Sequence, residues 1–472
     1  MQNLYSLTQK LLLILTLALF STHLFAQDKI TLTWQVDEGN TTKILICTAI
    51  GDFTVNWGDG IIETPPTYGG ILSHTYTSTG EKEVIFTASN TDSKFTWLNC
   101  DFQKVSQLIF TDCSFLMMLF CNGNMITNLN LSGYENLLYL ECENNLLTNL
   151  DLSGCVAITD ISCNDNQITN LNVSGCDSVK WIHCQNNQIT NLDVSEHDSL
   201  FSLNCINNKI THLNVSNCAA LGQLICEENQ ITSLDLSGCL ALETLHCGDN
   251  LLTGFDLSNF GIINYLSCSN NQIKLSELYA TQLVINNSEG NHFGTQNLPN
   301  ISANTNTELF EDQSVINGIY TEYSVNLNGS PAPQSNYTVK DGKLIFLKEG
   351  KYTVTMTNDA VLAHEYDPAQ VVVPVEVTQV GVKENANLHI EVFPNPTRGE
   401  LRVMISDYPI SDIRLSDIEV FDIYGRKQKT ESWMSEIGQS EIIINISDLS
   451  AGVYFVKINT DAGIVTKKVI KQ

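Results

Sequence analysis

The sequence predicts a mainly β chain, a repeat solenoid of about nine rungs on a 21-residue period flanked by β-sandwich domains. Three observations predict it. Cys100, Cys121, Cys142, Cys163, Cys184, Cys205, Cys226, Cys247 and Cys268 recur 21 residues apart without a slip. Two apolar columns keep step with them: Leu98, Leu119, Leu140, Ile161 and their successors two residues before each Cys, and Phe95, Leu116, Leu137, Ile158 and theirs three residues earlier. Outside the repeat, short alternating apolar runs are cut by Gly and Asp-Gly turns, as paired strands are.

Within each repeat, alternation around Leu and Cys is a period-2 strand with both side chains inward. Three residues after the Cys stands Asn124, Asn145, Asn166, Asn187, Asn208, Asn229, Asn250 or Asn271, with Gln103 in the first unit. An amide there can bond the backbone of its own turn and of its neighbour's, at a net of about 1 kcal/mol per bond. The second half of the unit, such as Ile189, Leu192 and Val194, returns the chain with another inward set. So short a unit has no room for a full helix, so the return leg is predicted extended or 3₁₀. The pattern L-x-x-L-x-C-x-x-N-x-I-T-x-L-D-L-S resembles the leucine-rich-repeat family, with Cys in place of its third leucine. That resemblance implies a solenoid with a concave parallel sheet over 95–275.

The cysteines read as packing groups. A strict period is a structural column rather than a bridging pattern, although rungs about 4.8 Å apart lie near the lower end of disulfide reach, which leaves bridges between rungs open. A second column holds Cys113, Tyr134, Cys155, Cys176, His197, Cys218, Cys239 and Phe260. Since Tyr, His and Phe share it, it is expected to hold half-buried fillers rather than bond partners. No C-x-x-C pair occurs, so neither a metal site nor a cofactor is expected.

Residues 1–26 read as an export signal: Lys10, the apolar run Leu11–Phe20, then small and polar residues to Ala26. No later run is long enough to span a bilayer. Over 27–94, Val55-Asn56-Trp57-Gly58-Asp59-Gly60, His74-Thr75-Tyr76 and Val84-Ile85-Phe86 resemble a PKD-type β-sandwich. Asp59 and His74 are a tempting catalytic pair, but an Asp-Gly turn needs such residues for its backbone, and the His and Tyr are expected to pack across it. Residues 276–306 break the period and should cap the last rung, and 307–380 should form a small β-sandwich of unassigned role. The tail carries Val392-Phe393-Pro394-Asn395-Pro396-Thr397, Val420-Phe421-Asp422-Ile423-Tyr424-Gly425-Arg426, Leu449-Ser450-Ala451-Gly452-Val453-Tyr454 and Lys467-Lys468-Val469. In this order they resemble the C-terminal sorting domain of the type IX secretion system of Bacteroidetes, over 390–472. The resemblance implies a seven-or-so-stranded sandwich recognised by the secretion machinery and usually removed, leaving the protein secreted or on the outer cell surface.

With a formal charge of −28 and scattered Lys and Arg, the chain lacks the basic face that nucleic acid requires. It shows no nucleophile elbow and no H-E-x-x-H, so a non-catalytic binding or adhesion protein is expected rather than a repeat-scaffolded enzyme. A bare structural spacer is the other reading, which a featureless concave face would favour. Residues flanking each inward Leu and Cys point outward, which nominates Phe120, Tyr139, Glu141, Trp181, His183, Asn204, Ile225, His246 and Tyr265 as the surface for a protein or glycan ligand, with Trp181 and His183 near its centre.

Overall fold

The computed structural model describes residues 27–257, 263–285, 291–361, 369–378, 389–406, 415–432, 441–460 and 463–472. The expected export signal at 1–26 and Phe260 of the second column lie outside them. The chain divides after Val377 into two units, and no helix among the described residues is long and apolar enough to cross a membrane.

The first unit opens with strands β1 (Lys29–Val36), β2 (Thr42–Ile50), β3 (Phe53–Asn56), β4 (Ile62–Glu63), β5 (Gly69–Thr75), β6 (Gly80–Ala88), β7 (Lys94–Asn99) and β8 (Val105–Thr111). Period-2 patterning buries one side of all but the short, exposed β4, such as Ile30, Leu32, Trp34 and Val36 on β1. One sheet has the order β4-β3-β6-β1-β8, and β5, β2 and β7 lie in a second. The indoles of Trp34 and Trp57 stack in the core, ring centroids 6.3 Å apart.

Strand β7 pairs antiparallel with β2 and parallel with Met118–Phe120. It is therefore both a sandwich strand and the first rung, while β8, the return leg of the same repeat, pairs with β1. No seam separates sandwich from solenoid, and the first rung's apolar interior is closed by shared strands rather than left open to water.

Each following rung contributes a three-residue strand: Met118–Phe120, Tyr139–Glu141, Asp160–Ser162, Trp181–His183, Ser202–Asn204, Gln223–Ile225, Thr244–His246 and Tyr265–Ser267. They pair in parallel, each residue with its equivalent 21 positions on. The middle residue of every strand and the Cys two positions later are fully buried. The return leg is extended: Asn149–Asp151 pairs with Asn170–Asn172, and Asn191–Asp193 with His212–Asn214.

The asparagine ladder joins the rungs where the chain turns. Asn166 Nδ2 donates to the Cys142 carbonyl of the preceding rung (2.9 Å) and to those of Cys163 and Asn164 in its own turn (3.1 and 3.2 Å), while its Oδ1 accepts the Leu147 N–H at 3.0 Å. The residue before each ladder amide is left-handed: Asn144, Asp165, Asn186, Asn207, Asp249 and Asn270 have φ between +52° and +56°. Asn and Asp tolerate that region because their short side chains bond locally.

Past Asn271 a helix, Leu275–Gln282, interrupts the repeat, and Asn291–His292 then joins the same sheet as a further strand. Its residue beside Leu266 lies 25 positions on instead of 21, which is why the period vanishes from the sequence. Gln296, fully buried, takes the place of the ladder Asn, with Nε2 2.9 Å from the Cys268 carbonyl. The unit ends in three sheets, one including Glu322–Leu327, Gly350–Thr357 and Gln370–Thr378, a second of Glu308–Leu309, Tyr337–Lys340 and Lys343–Phe346, and a two-stranded one of Val315–Ile316 and Ile319–Tyr320.

The second column differs from expectation. Its cysteines are at most 1 % exposed, and they are bonded: Cys155, Cys176, Cys218 and Cys239 donate from Sγ to the carbonyls of Leu131, Leu152, Val194 and Val215 on the preceding rung at 3.0–3.3 Å. His197 spans the same gap, its Nε2 3.1 Å from the Val173 carbonyl. Four of its cysteines and His197 thus hydrogen-bond across a rung. All fifteen cysteines are buried and unbridged.

The second unit holds seven strands among its described residues. His389–Phe393, Glu400–Ser406 and Glu441–Asn445 form one sheet; Lys427–Ser432, Leu415–Asp422, Gly452–Thr460 and Gly463–Lys471 form the other. Asn395 of the Pro-Asn-Pro motif clips the first strand to the last, donating to the Lys468 carbonyl and accepting the Ile470 N–H, both at 2.8 Å.

Two predictions follow from this packing. Asn166→Ala leaves buried backbone groups without partners, each worth about 1–3 kcal/mol; urea denaturation should show a loss of at least that size, and a loss within error would mean that the ladder does not hold the rungs. Burial pushes the Cys184 and Cys226 thiols up to about 12. The folded chain then keeps them neutral while the unfolded chain ionises them from about pH 9, so this stabilisation is whole below pH 9 and is lost towards pH 12, at about 1.4 kcal/mol per thiol per pH unit. The urea midpoint should fall steeply across that window, and thiol reagents should find no reactive group until the chain is unfolded.

Candidate ligand-binding face

Parallel, in-register pairing lines the outward side chains into rows that cross the twelve-stranded sheet. One row runs Thr48, Trp97, Met118, Tyr139, Asp160, Trp181, Ser202, Gln223, Thr244, Tyr265. The other runs Ile71, Ile46, Asn99, Phe120, Glu141, Ser162, His183, Asn204, Ile225, His246, Ser267, His292. All nine nominated residues stand in these rows. Tyr139 and Trp181 are 42 % and 37 % exposed, and Phe120, Glu141, His183, Asn204, Ile225, His246 and Tyr265 are half-buried.

The residues do not converge on one centre. Trp181 and His183 share a strand, but the row neighbours of Trp181 are Asp160 and Ser202. Aromatic contacts gather at the ends instead. Near the N-terminal end Trp97 meets Phe120 edge-on, centroids 6.1 Å apart. At the other end His246 stacks on Tyr265 at 4.7 Å, and Tyr265 touches His292 at 5.6 Å.

Glu227 underlies the second cluster, 3.5 Å from His246 Nδ1 and accepting from Ser267 Oγ at 3.2 Å. The hydrogen bond to His246 holds its carboxyl below the ordinary range against the opposing effect of burial. Near the N-terminal end the balance reverses: burial pushes Asp101 up, and the neighbouring Glu141 and Glu143 add to it although two hydrogen bonds oppose.

Sequence reasoning missed Trp97, Ile46, Ile71 and His292. Trp97 stands three residues before Cys100, as Trp181 stands before Cys184, so the period could have found it. Ile46 and Ile71 reach the face through antiparallel pairing and His292 through the 25-residue step, which leave no mark in the repeat.

In the N-terminal sandwich His74 Nε2 lies 2.7 Å from Asp59 Oδ2, and the imidazole stacks on Trp57 with centroids 4.8 Å apart. Asp59 Oδ1 accepts the Ile61 N–H at 3.2 Å, and Tyr76 Oη donates to the Trp57 carbonyl at 2.8 Å. These bonds close the Asp-Gly turn onto the core. Among the described residues no group of three or more His, Cys, Asp or Glu is placed to hold a metal ion.

The parallel ladder, inward Leu columns and 21-residue register make a parallel β-solenoid with the leucine-rich-repeat pattern. Residues 391–472 match the family of secretion system C-terminal sorting domains. This is accordingly a repeat protein carrying a type IX address to the cell exterior or outer surface. No curated protein matches the chain. Among solved structures, the functional domain of InlJ from Listeria monocytogenes, which includes a cysteine ladder, is 24% identical with a TM-score of 0.40, the match covering 60% of this chain and 67% of that one. YopM of Yersinia pestis, a leucine-rich effector, is 22% identical with a TM-score of 0.31, covering 34% of this chain and 45% of that one.

Proposed function

We propose that the protein is a non-catalytic binder, exported by an N-terminal leader and the sorting tail, that engages a protein or glycan ligand through the concave face of its solenoid. The observation that supports this most is the outward rows. Trp97, Met118, Phe120, Tyr139, Trp181, Ile225 and Tyr265 put a large apolar or aromatic side chain on most rungs of a surface that no other described element pairs with. Such side chains are costly on a solvent-facing sheet, and buried aromatic anchors supply much of the energy at interfaces. A spacer would be better served by Ser, Thr, Asn and Lys there. The PKD-like sandwich then serves as the N-terminal closure of the solenoid, and adhesion to host or neighbouring surfaces is the role that this architecture fits.

A glycan array and a pull-down with the full chain should identify the ligand. Trp181→Ala should then weaken binding by on the order of 2 kcal/mol with the thermal midpoint unchanged, because the indole lies outside the core. Lower stability with intact binding would overturn the assignment of this face.

For the tail, mass spectrometry of protein recovered from the medium or cell surface should find chains ending before about Val392, and deleting residues 391–472 should retain the protein in the periplasm. Full-length chains outside the cell, and normal export of the deletion variant, would show that the tail is not the address.

A further inference from the structure

The rungs nearest the N-terminal sandwich carry carboxylates that the fold does not neutralise. Asp101, Glu141, Glu143 and Asp160 fall within four consecutive rungs, or about 15 Å of the stack. The one Lys at an outward position of those strands, Lys94 of β7, is already paired with Asp28 at 2.8 Å. Asn122 ties two of the carboxylates together, its N–H donating to Asp101 Oδ1 at 2.6 Å and its Nδ2 to Glu141 Oε2 at 2.9 Å, while its Oδ1 accepts the backbone N–H of Glu143 at 2.9 Å. They are spaced along the ladder rather than converged, so they suit a row of donors and not one chelated ion.

A separate observation points the same way. Asn164, 7 % exposed, continues the line of Asn122 and Glu143, and its Nδ2 donates to Asp165 Oδ2 at 2.7 Å, which fixes the amide's orientation. Its Oδ1 then faces away, buried and accepting nothing among the described residues, as does Gln185 Oε1 on the next rung. A buried acceptor left unpaired costs about 1–3 kcal/mol, which a ligand N–H would recover. Along the same face, one to four rungs nearer the N-terminal end, lie Tyr139, Met118, Phe120 and Trp97, so an extended ligand must offer apolar groups as well as donors.

We propose that this N-terminal half of the face receives an extended, basic polypeptide segment, with Lys or Arg on the carboxylates, backbone amides on Asn164 and apolar side chains on Trp97, Phe120 and Tyr139. The C-terminal half, where His246 already partners Glu227, lacks this charge demand. The inference rests on the concave face being the binding face, and it names the ligand's chemistry and its place there.

The test uses the full chain and a short synthetic peptide alternating Lys and Leu, with a Glu–Leu peptide as control. Titration calorimetry should show binding of the Lys peptide alone, weakening roughly tenfold from low to physiological salt. Glu141→Gln combined with Glu143→Gln, near-isosteric and with an unchanged thermal midpoint, should weaken it roughly tenfold again. Hydroxyl-radical footprinting should protect Met118, Phe120 and Tyr139. No binding of the Lys peptide, equal binding of the Glu peptide, or indifference to the double substitution would each overturn the inference. Protection confined to Ile225, His246 and Tyr265 instead would overturn it while leaving the concave-face reading standing; protection off the sheet would sink both. A neutral oligosaccharide protecting the same residues, with the Lys peptide inert, would overturn it in favour of a glycan.

Discussion

The buried asparagine amide is the constraint on which the solenoid depends. A rung that returns on itself within 21 residues must turn sharply just after each inward Cys, which drives backbone carbonyls into the interior, where an unmade hydrogen bond is expensive. One amide answers this for two rungs at once, as Asn166 does for the carbonyls of Cys142 and Cys163. Because it bonds both its own turn and the one before, it fixes the position of each rung on the next as well as the turn itself. In-register strands follow, and so do columns: any side chain stands above its equivalent all along the stack. The buried thiols and the outward rows are both consequences of that registration.

A registered stack has two open ends, and the chain closes them differently. At the start, β7 and β8 belong simultaneously to the sandwich and to the first repeat, so the core passes from Trp34 and Phe53 into Leu98 and Leu119 without a polar break. At the finish, Gln296 reproduces the Asn bond with a longer side chain while the helix Leu275–Gln282 takes up the extra residues. The longer reach suits a strand whose spacing has slipped from 21 to 25 residues.

What the sequence made legible was whatever repeats. The period, the inward columns, the Asn ladder and the outward position of every nominated residue follow from alternation and spacing, because in a registered stack the position in the repeat determines the environment. The left-handed residue before each Asn was equally periodic, yet it was masked by Glu228 and Phe102, which adopt the same conformation without being Asn, Asp or Gly. The bonding of the second column was hidden because Cys and His, sharing it with Tyr and Phe, look like fillers until the carbonyl opposite each is known. Non-periodic features could not be read at all. The sharing of β7, the arrival of Ile46 and Ile71 on the long sheet, and the separation of the aromatics into two groups all depend on pairings between distant segments. The tail was legible for another reason, since its motifs are specific in themselves.

Registration also multiplies electrostatics, and the two sides of the solenoid treat this differently. Identical charges stacked one rung apart would repel by a few kcal/mol at the effective dielectric of a protein surface. On the return leg the column Asn130, Asp151, Asn172, Asp193, Asn214, Asp235 alternates amide with carboxylate until Asp256 follows Asp235. Asn172 donates to Asp151 across the rung at 2.9 Å, turning repulsion into a bond. The left-handed column does the same where Asn186 donates to Asp165 at 2.8 Å and Asn270 to Asp249 at 2.9 Å. On the outward face Glu141 and Glu143 stand on one rung, Asp160 on the next, and no Lys or Arg stands outward between them. Over most of the return leg the chain thus separates its carboxylates with amides, whereas on the outward face it groups them beside an aromatic strip.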